Sequence, residues 1–206
     1  GMERLRELGV LTAIHPGLTF TPPVRECFVR VEETLLWFAM LFTHEAYRSW
    51  FVYLLALVDQ MKPRKIIEIC QRLGLTDEEV RGILSSQAKA HVILKDLASG
   101  RSIRPSDGVR ILDGVRLEEV FFAMSKTRSP EIRELISAYI TTWRSYKPLV
   151  SGRDLLALGF EKGKFLGDTL RLIRDKGLNG EIRDFSEAAA FAAERLKERN
   201  TGQSNS

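Results

Sequence analysis

The 206-residue sequence is poor in the residues that most often build a catalytic or metal centre. It has two cysteines and three histidines, and none of them falls in a zinc-binding or Cys-x-x-Cys spacing. Neither a Gly-x-Ser-x-Gly elbow nor a Walker A motif occurs. The histidines lie in different segments and share no motif with Cys27 or Cys70. The sequence therefore predicts no catalytic residue and no metal site in this chain.

Adjacent carboxylates are present, but their positions do not make them converge. Glu32 and Glu33 are neighbours on a predicted helix, where successive side chains point about 100° apart. The acids at 77–79 fall in the first turn of another predicted helix, where the positive end of the helix dipole favours them. A two-metal nucleotide-transfer centre needs convergent carboxylates, so both groups favour a structural role.

Long apolar runs are also missing. The most apolar stretch, 28–61, is broken by charged residues and a histidine, and its clean runs, 34–43 and 51–58, are too short to span a bilayer. The charged residues that follow Met2 do not form a signal peptide, and Gly1 has the form of a cloning remnant. We expect a cytoplasmic protein without membrane contact, in which both cysteines are buried, reduced thiols.

Helical spacing recurs along the chain, whereas period-two alternation never extends beyond a few residues. Prolines predict a connector over Ala13–Val24, followed by helices over Arg25–Phe42 and Glu45–Met61. Five later helix starts are predicted from proline or capping signals, at Pro63, Thr76, Arg104-Pro105, Ser129-Pro130 and Ser151, and Ser186 is expected to cap a final helix. The sequence thus predicts an all-α fold: an elongated helical body at 2–147, a small helical tail at 148–199, and a disordered segment at 200–206.

The charge balance permits an anionic partner, because the net charge is +4. The clearest candidate site is the turn Lys162-Gly163-Lys164, which lies between a helix that closes at Gly159 and a helix that Gly167 would allow to pack closely. Backbone N–H groups at a helix start, together with two ammonium groups, suit a phosphate. An ordinary helix–turn–helix with solvated lysines fits the spacing equally well.

Further basic residues flank that turn. Arg153 precedes it, and Arg171 and Arg174 follow it on one face of the next predicted helix. Arg171 is also four residues from Asp175, a spacing that allows an ion pair within the helix.

Two patterns resemble the bacterial tRNA nucleotidyltransferases, which add CCA or A, and the related poly(A) polymerases. The first is Gly152-x-Asp154-Leu155-x-x-Leu158-Gly159-x-x-x-Gly163-x-x-x-Gly167-x-x-Leu170, with Lys164 where the family has a small residue or proline. The second is Leu5-x-x-Leu8-Gly9-Val10-Leu11-x-x-Ile14-His15-Pro16. The first resembles the C-terminal motif of the family, and the second resembles the start of the helical body that follows its catalytic head.

The resemblance implies a body and tail that hold the elbow and T-arm side of a tRNA while a head adds nucleotides. The Gly-Ser nucleotide loop and Asp-x-Asp metal pair of that head are absent here, so magnesium and nucleotide are expected only in the head. We therefore expect tRNA or another structured RNA as partner and no catalysis by this chain alone. The expected RNA-binding residues are Arg153, Lys162, Gly163, Lys164, Arg171 and Arg174.

Two alternatives remain open from the sequence. The aromatic run over 37–53 fits a core, but it also fits a helical module that docks on a separate catalytic head or on a second copy. The chain can also contribute part of an active site when it is joined to a head.

Overall fold

The computed structural model describes residues 1–99 and 102–203. Within these ranges every regular element is a helix and no strand occurs, so the predicted all-α class is confirmed. In chain order the elements are α1 (Met2–Glu7), α2 (Val10–Ile14), α3 (Pro22–Ala39), α4 (Ser49–Val58), α5 (Pro63–Arg72), α6 (Asp77–Leu97), α7 (Pro105–Leu112), α8 (Leu117–Lys126), α9 (Pro130–Ala138), a π-helix (Tyr139–Trp143), α10 (Gly152–Ala157), α11 (Lys164–Leu178) and α12 (Phe185–Gln203).

Several helix starts follow the local signals of the sequence. The Thr76 hydroxyl accepts from the Glu79 amide at 3.3 Å, and the Thr76 amide donates to the Glu79 carboxylate at 2.8 Å. This reciprocal capping box satisfies two of the N–H groups that a helix start leaves free. Pro63 and Pro130 are the first residues of α5 and α9. Proline suits this position, because an N–H in the first helical turn has no partner within the helix and its absence costs nothing there.

The predicted connector over Ala13–Val24 was wrong at both ends. Helix α2 extends to Ile14, and α3 begins at Pro22, so two prolines occupy its first turn. Proline excludes the helix interior but suits this position. Helix α3 is as long as predicted but lies three residues earlier, since it ends at Ala39, whereas α4 is shorter than predicted and spans only Ser49–Val58.

Packing divides the chain into two compact units. The first comprises Gly1–Arg101 and Gly114–Ile136, and the second comprises Ser102–Asp113 and Ser137–Ser206. This division does not coincide with the body and tail expected from the sequence, because α7 and the residues at 137–147 belong with the tail helices. Helix α12 continues to Gln203, and residues 204–206 lie outside the described residues, so the disorder expected over 200–206 stays a prediction.

Helix α8 forms the centre of the first unit and packs against α3, α4 and α6. Its four consecutive residues Val120 to Ala123 have no solvent exposure. The ring of Phe121 contacts that of Phe38 on α3 at a centroid distance of 4.7 Å. A helix that is buried on all sides needs apolar residues around its full circumference, and this is the pattern of α8.

The second unit has its own core, formed by α10, α11, α12 and the loops between them. Its buried members are Val150, Leu155, Phe160, Ile173, Ile182, Ala188 and Ala192. Helix α7 packs against α11 and against the π-helix. The Tyr139 hydroxyl donates to the Leu112 carbonyl at 3.0 Å, and the Trp143 ring lies against Gly108.

The helix that was predicted to start at Ser129-Pro130 changes its winding before it ends, because α9 continues as a π-helix from Tyr139. Arg144 donates from its amide to the Tyr139 carbonyl at 3.0 Å, an i to i−5 hydrogen bond that is typical of a π-helix. Tyr139 and Trp143, the first and last residues of the π-helix, both contact α7. None of the described helices combines the length and the apolar composition needed to cross a membrane.

Candidate nucleic-acid interface

The site predicted from the sequence begins at α10, which starts with a strong cap. The Ser151 amide and hydroxyl both donate to the Asp154 carboxylate at 2.7 Å, and Asp154 donates from its amide to the Ser151 hydroxyl at 3.4 Å. The hydrogen bonds from the Ser151 hydroxyl and amide hold the pKa of Asp154 below its ordinary value. The predicted capping box at Ser151 is therefore confirmed.

Helix α10 closes with a left-handed glycine, which fixes the direction of the chain before the basic turn. Gly159 has φ 96°, and its amide donates to the Leu156 carbonyl, while the Phe160 amide donates to the Leu155 carbonyl. These two bonds form a Schellman motif. The accompanying apolar contact is between Phe160 and Leu155, both part of the core of the second unit.

The basic turn itself depends on Gly163. This residue has φ 156° and ψ −169°, a combination that is nearly restricted to glycine. Helix α11 follows without a side-chain cap, and its first helical bond joins the Gly167 amide to the Gly163 carbonyl at 3.3 Å. Among the described residues nothing accepts from the amides of 164–166. The positive end of the α11 dipole therefore faces solvent between two lysines.

Four of the six predicted residues lie around this turn. Arg153, Lys162 and Gly163 line one cleft, together with residues 151–152, Leu156 and Leu166. Lys162, Gly163 and Lys164 line a second cleft on the neighbouring surface. Lys162, Lys164 and Arg153 are all exposed, so their charged groups are accessible to an anion.

The other two residues lie farther along α11 and are already engaged. Arg171 pairs with Asp168 at 3.5 Å rather than with Asp175, which instead contacts Arg110 at 3.2 Å. Arg174 pairs with Asp113 at 3.6 Å and is only 28% exposed. Ten residues of helix separate Arg174 from Lys164, or about 15 Å along the axis. Arg174 is therefore not brought to the basic turn.

Gly167 does not have the packing role expected from the sequence. It is exposed, and a Cβ built on it would meet no atom within 4 Å. The glycine of α11 that does make a close approach is Gly177, where a Cβ would lie 2.1 Å from the Tyr146 hydroxyl.

Two arginines of the last helix were not identified from the sequence. The Cζ atoms of Arg195 and Arg199 lie 5.6 and 4.7 Å from the centroid of the Phe165 ring, and Arg199 also lines the cleft that holds both lysines. The i, i+4 spacing of the two arginines on a predicted helix was the available signal. It carries no information about which neighbour the pair would meet.

The two cysteines and His15 are placed in separate local surroundings. Cys27 and Cys70 are buried free thiols, as expected, and burial raises the pKa of each. His15 accepts at Nδ1 from the Gly17 amide at 2.9 Å, so its Nε2 carries the proton that is shared with Glu68 at 3.1 Å. Within the described part of the chain, no three His, Cys, Asp or Glu side chains are placed to hold a metal ion.

No family model matches the chain. The A-adding tRNA nucleotidyltransferase of Geobacter sulfurreducens is 29% identical over 182 residues, which are 86% of this chain and 21% of that protein. The chain therefore spans about a fifth of the length of this relative.

Solved structures share the fold over most of the chain. The Thermotoga maritima CCA-adding enzyme complexed with tRNA matches with a TM-score of 0.68 and 21% identity, over 95% of this chain and 47% of that one. A tRNA-processing enzyme in its apo form I matches with a TM-score of 0.70 and 18% identity, over 86% of this chain and 43% of that one. The chain thus spans just under half of each.

Proposed function

Because this chain is homologous to the C-terminal part of the A-adding and CCA-adding tRNA nucleotidyltransferases, we propose that it binds structured RNA, with tRNA as the first candidate. The observation that carries the proposal is the exposed start of α11, where Lys162 and Lys164 flank amides that no described group caps. A relative of similar fold has been solved with tRNA.

The physical basis is electrostatic and does not depend on base identity. A phosphodiester at the α11 N-terminus would accept from backbone N–H groups and lie near two ammonium groups. Such contacts fix the position of an RNA backbone but carry no sequence information. The expected selectivity is therefore for the shape of a folded RNA, which is how double-helical RNA is commonly recognised.

We propose that nucleotide addition takes place in a separate catalytic head and not in this chain. Transfer of a nucleotide needs carboxylates that hold two metal ions, and the described residues offer no such group. The chain would hold the RNA while a catalytic head, outside the matched region, adds CCA, A or a poly(A) tail. In that arrangement magnesium and nucleotide bind to the head.

The experiment that tests the proposal is a binding titration with folded tRNA and with an unstructured RNA of equal length, at low and near-physiological salt. Preference for the folded tRNA that persists as the salt rises supports the proposal. Equal binding of both RNAs that is lost with salt indicates only general charge attraction. The absence of binding to either RNA at low salt contradicts the proposal.

A second candidate function, docking on another protein or on a second copy, is favoured by exposed apolar residues of the first unit. In the sequence, this alternative rested on the aromatic residues at 37–53. The structure buries some of these residues and exposes others. Phe38 and Phe51 are buried, whereas Phe42 is 87% exposed and Trp50 is also exposed. Near the end of α3, Leu36 and Met40 are exposed as well. Clustered apolar exposure of this kind is typical of interaction surfaces.

Sedimentation velocity over a wide range of protein concentration tests self-association directly. The matched variant is Phe42→Ser, which removes the most exposed aromatic side chain and affects no buried contact. A concentration-dependent dimer that is weakened in Phe42→Ser supports docking on a second copy. A monomer at all concentrations removes self-association and leaves only a different protein as partner.

A further inference from the structure

The second unit places two arginines of α12 beside the basic turn that begins α11. The side chain of Phe165, the second residue of α11, packs in parallel against the ring of Phe160 at a centroid distance of 5.3 Å. The guanidinium groups of Arg195 and Arg199 lie over the same Phe165 ring. Because Phe160 is part of the buried core, this stack holds the arginines at a fixed place.

We infer that Arg199 joins Lys162 and Lys164 in a cationic cluster that binds consecutive backbone phosphates of the RNA, with Phe165 as the positioning residue. This inference rests on the proposed function for its ligand, an RNA phosphodiester. The binding residues predicted from the sequence lie on α10, on α11 and in the turn between them. Arg199 adds a side chain from a separate helix, α12.

The three cationic side chains of this cluster are available to a ligand. Within the described residues, Arg199, Lys162 and Lys164 form no ion pair. The neighbouring Arg195 has a buried Nε that finds no hydrogen-bond acceptor in the described part of the chain. The Arg195 guanidinium lies over the same Phe165 ring as Arg199 and adds positive charge beside the cleft.

Positive charge is in excess among the side chains that line the cleft. The cleft is lined by three cations and by the carboxylates of Glu161 and Asp168. Asp168 is already paired with Arg171 at 3.5 Å, so Glu161 is the carboxylate that opposes the three cations. The excess of positive charge favours an anion, and the planar guanidinium of Arg199 can donate two parallel hydrogen bonds to phosphate oxygens.

The surroundings of Phe165 favour phosphate binding over base stacking. A nucleobase needs a free aromatic face, whereas Phe165 is half-buried and its ring already contacts Phe160, Arg195 and Arg199. The ring therefore serves to orient the guanidinium groups. An Arg over an aromatic face keeps its N–H donors in the plane of the guanidinium, so they remain free for an oxygen ligand.

Two titrations of the full chain test the inference. The first adds inorganic pyrophosphate and follows the amide resonances of 163–166 and the Nε resonance of Arg199 by NMR. The second measures affinity for folded tRNA as a function of salt, for the wild type, Arg199→Ala, Arg199→Lys and Phe165→Leu. The matched control is Lys197→Ala, which removes one charge from an exposed position of the same helix.

We expect pyrophosphate to shift both sets of resonances in the wild type and to leave 163–166 much less affected in Arg199→Ala. For tRNA, Arg199→Ala should lower the slope of log K against log salt by about 0.9, the contribution of one neutralised phosphate. Arg199→Lys should retain the slope because it retains the charge. Phe165→Leu should weaken binding about threefold at constant slope, which is the loss of one exposed cation–π contact.

Failure of the inference and failure of the proposed function give different results. If the wild type binds tRNA with a clear salt slope, but Arg199→Ala behaves as Lys197→Ala does and pyrophosphate shifts nothing, the cluster is overturned and RNA binding stands. If the wild type binds no tRNA but pyrophosphate shifts both sets of resonances, the anion site stands and the RNA function is overturned.

Discussion

Arg116 donates from its guanidinium to the Glu119 carboxylate at 2.9 Å, and this carboxylate has no solvent exposure. The Ser86 hydroxyl donates to the same oxygen at 3.0 Å, and the Lys89 ammonium approaches it at 3.3 Å. Burial by itself raises the pKa of Glu119, but the hydrogen bonds from Arg116 and Ser86 outweigh burial and lower the pKa. A buried charge is tolerated here because every neighbour donates to it.

Replacing this carboxylate should destabilise the first unit. Glu119→Gln leaves two cations without their partner, and we expect a loss of about 1–3 kcal/mol in the free energy of unfolding at pH 7. Because the folded pKa lies below the unfolded value of about 4.3, the contribution is present above that value and disappears as the pH falls through the folded pKa. The difference between the variant and the wild type should therefore shrink in acid.

Urea unfolding at pH 7 and near pH 3 measures both effects. Glu134→Gln, at an exposed position of α9, is the control and should change the stability by less than about 0.5 kcal/mol. A variant at Glu119 that is as stable as the wild type at pH 7 would show that the buried ion cluster contributes nothing.

The two lysines of the basic turn should act on RNA affinity and leave the fold unchanged. Lys162→Ala/Lys164→Ala is expected to lower the salt slope of tRNA binding by about 1–2, because each phosphate contact contributes about 0.9. The control is Lys95→Ala/Lys197→Ala, which removes the same charge from two other exposed helix positions. Equal slopes for the two double variants would remove these lysines from the interface.

Two glycines four residues apart should respond in opposite directions. Gly163→Ala forces a side chain into a backbone conformation nearly restricted to glycine, at a cost of about 1–3 kcal/mol. Gly167→Ala lies inside α11 with open space around the new methyl group, so the gain in helix propensity should stabilise by about 0.5–1 kcal/mol. Thermal unfolding of both variants measures the signs, and a stabilising Gly163→Ala would contradict the turn geometry.

Gly108 is a buried residue of α7 whose surroundings leave no room for a side chain. A Cβ there would lie 2.7 Å from Cζ3 of Trp143, so the ring must move. The overpacking cost of about 1–3 kcal/mol exceeds the gain in helix propensity of about 1 kcal/mol. We expect Gly108→Ala to lower the melting temperature. Gly82→Ala, where nothing lies within 4 Å of the new atom, is the control and should raise it.

The parts of the fold that the sequence predicted are those encoded by adjacent residues. Thr76 and Ser151 each carry an acid three residues later, and each forms the expected capping box. The final helix shows how narrow this success is. Ser186 was the expected cap, but the helix begins at Phe185, two residues earlier than that cap implies, and the Asp184 carboxylate accepts from the Glu187 amide at 2.9 Å. Two polar residues so close together are equally good caps by composition.

The parts that the sequence did not predict depend on distant partners. The π-helix that begins at Tyr139 packs against α7, which lies about 30 residues earlier, and the periodicity of the sequence did not predict it. Arg174 shares a helix with Lys164, yet its ion pair is with Asp113. Arg199 is separated from Lys162 in sequence but lines the same cleft. Helical periodicity shows which residues lie on the same face of a helix. It does not show which other helix packs against that face.

The start of α7 is capped by a residue from the far end of the chain. The amide of Ser106 donates to the Asn179 side-chain oxygen at 3.1 Å, across 73 positions. We therefore expect segment 102–113 to unfold and refold together with the C-terminal helices, although it lies near the middle of the sequence. In native-state hydrogen exchange, the amides of α7 should share the opening free energy of α11. A truncation at 148 would therefore remove the cap and packing partners of α7, so a boundary drawn by sequence position divides one cooperative unit.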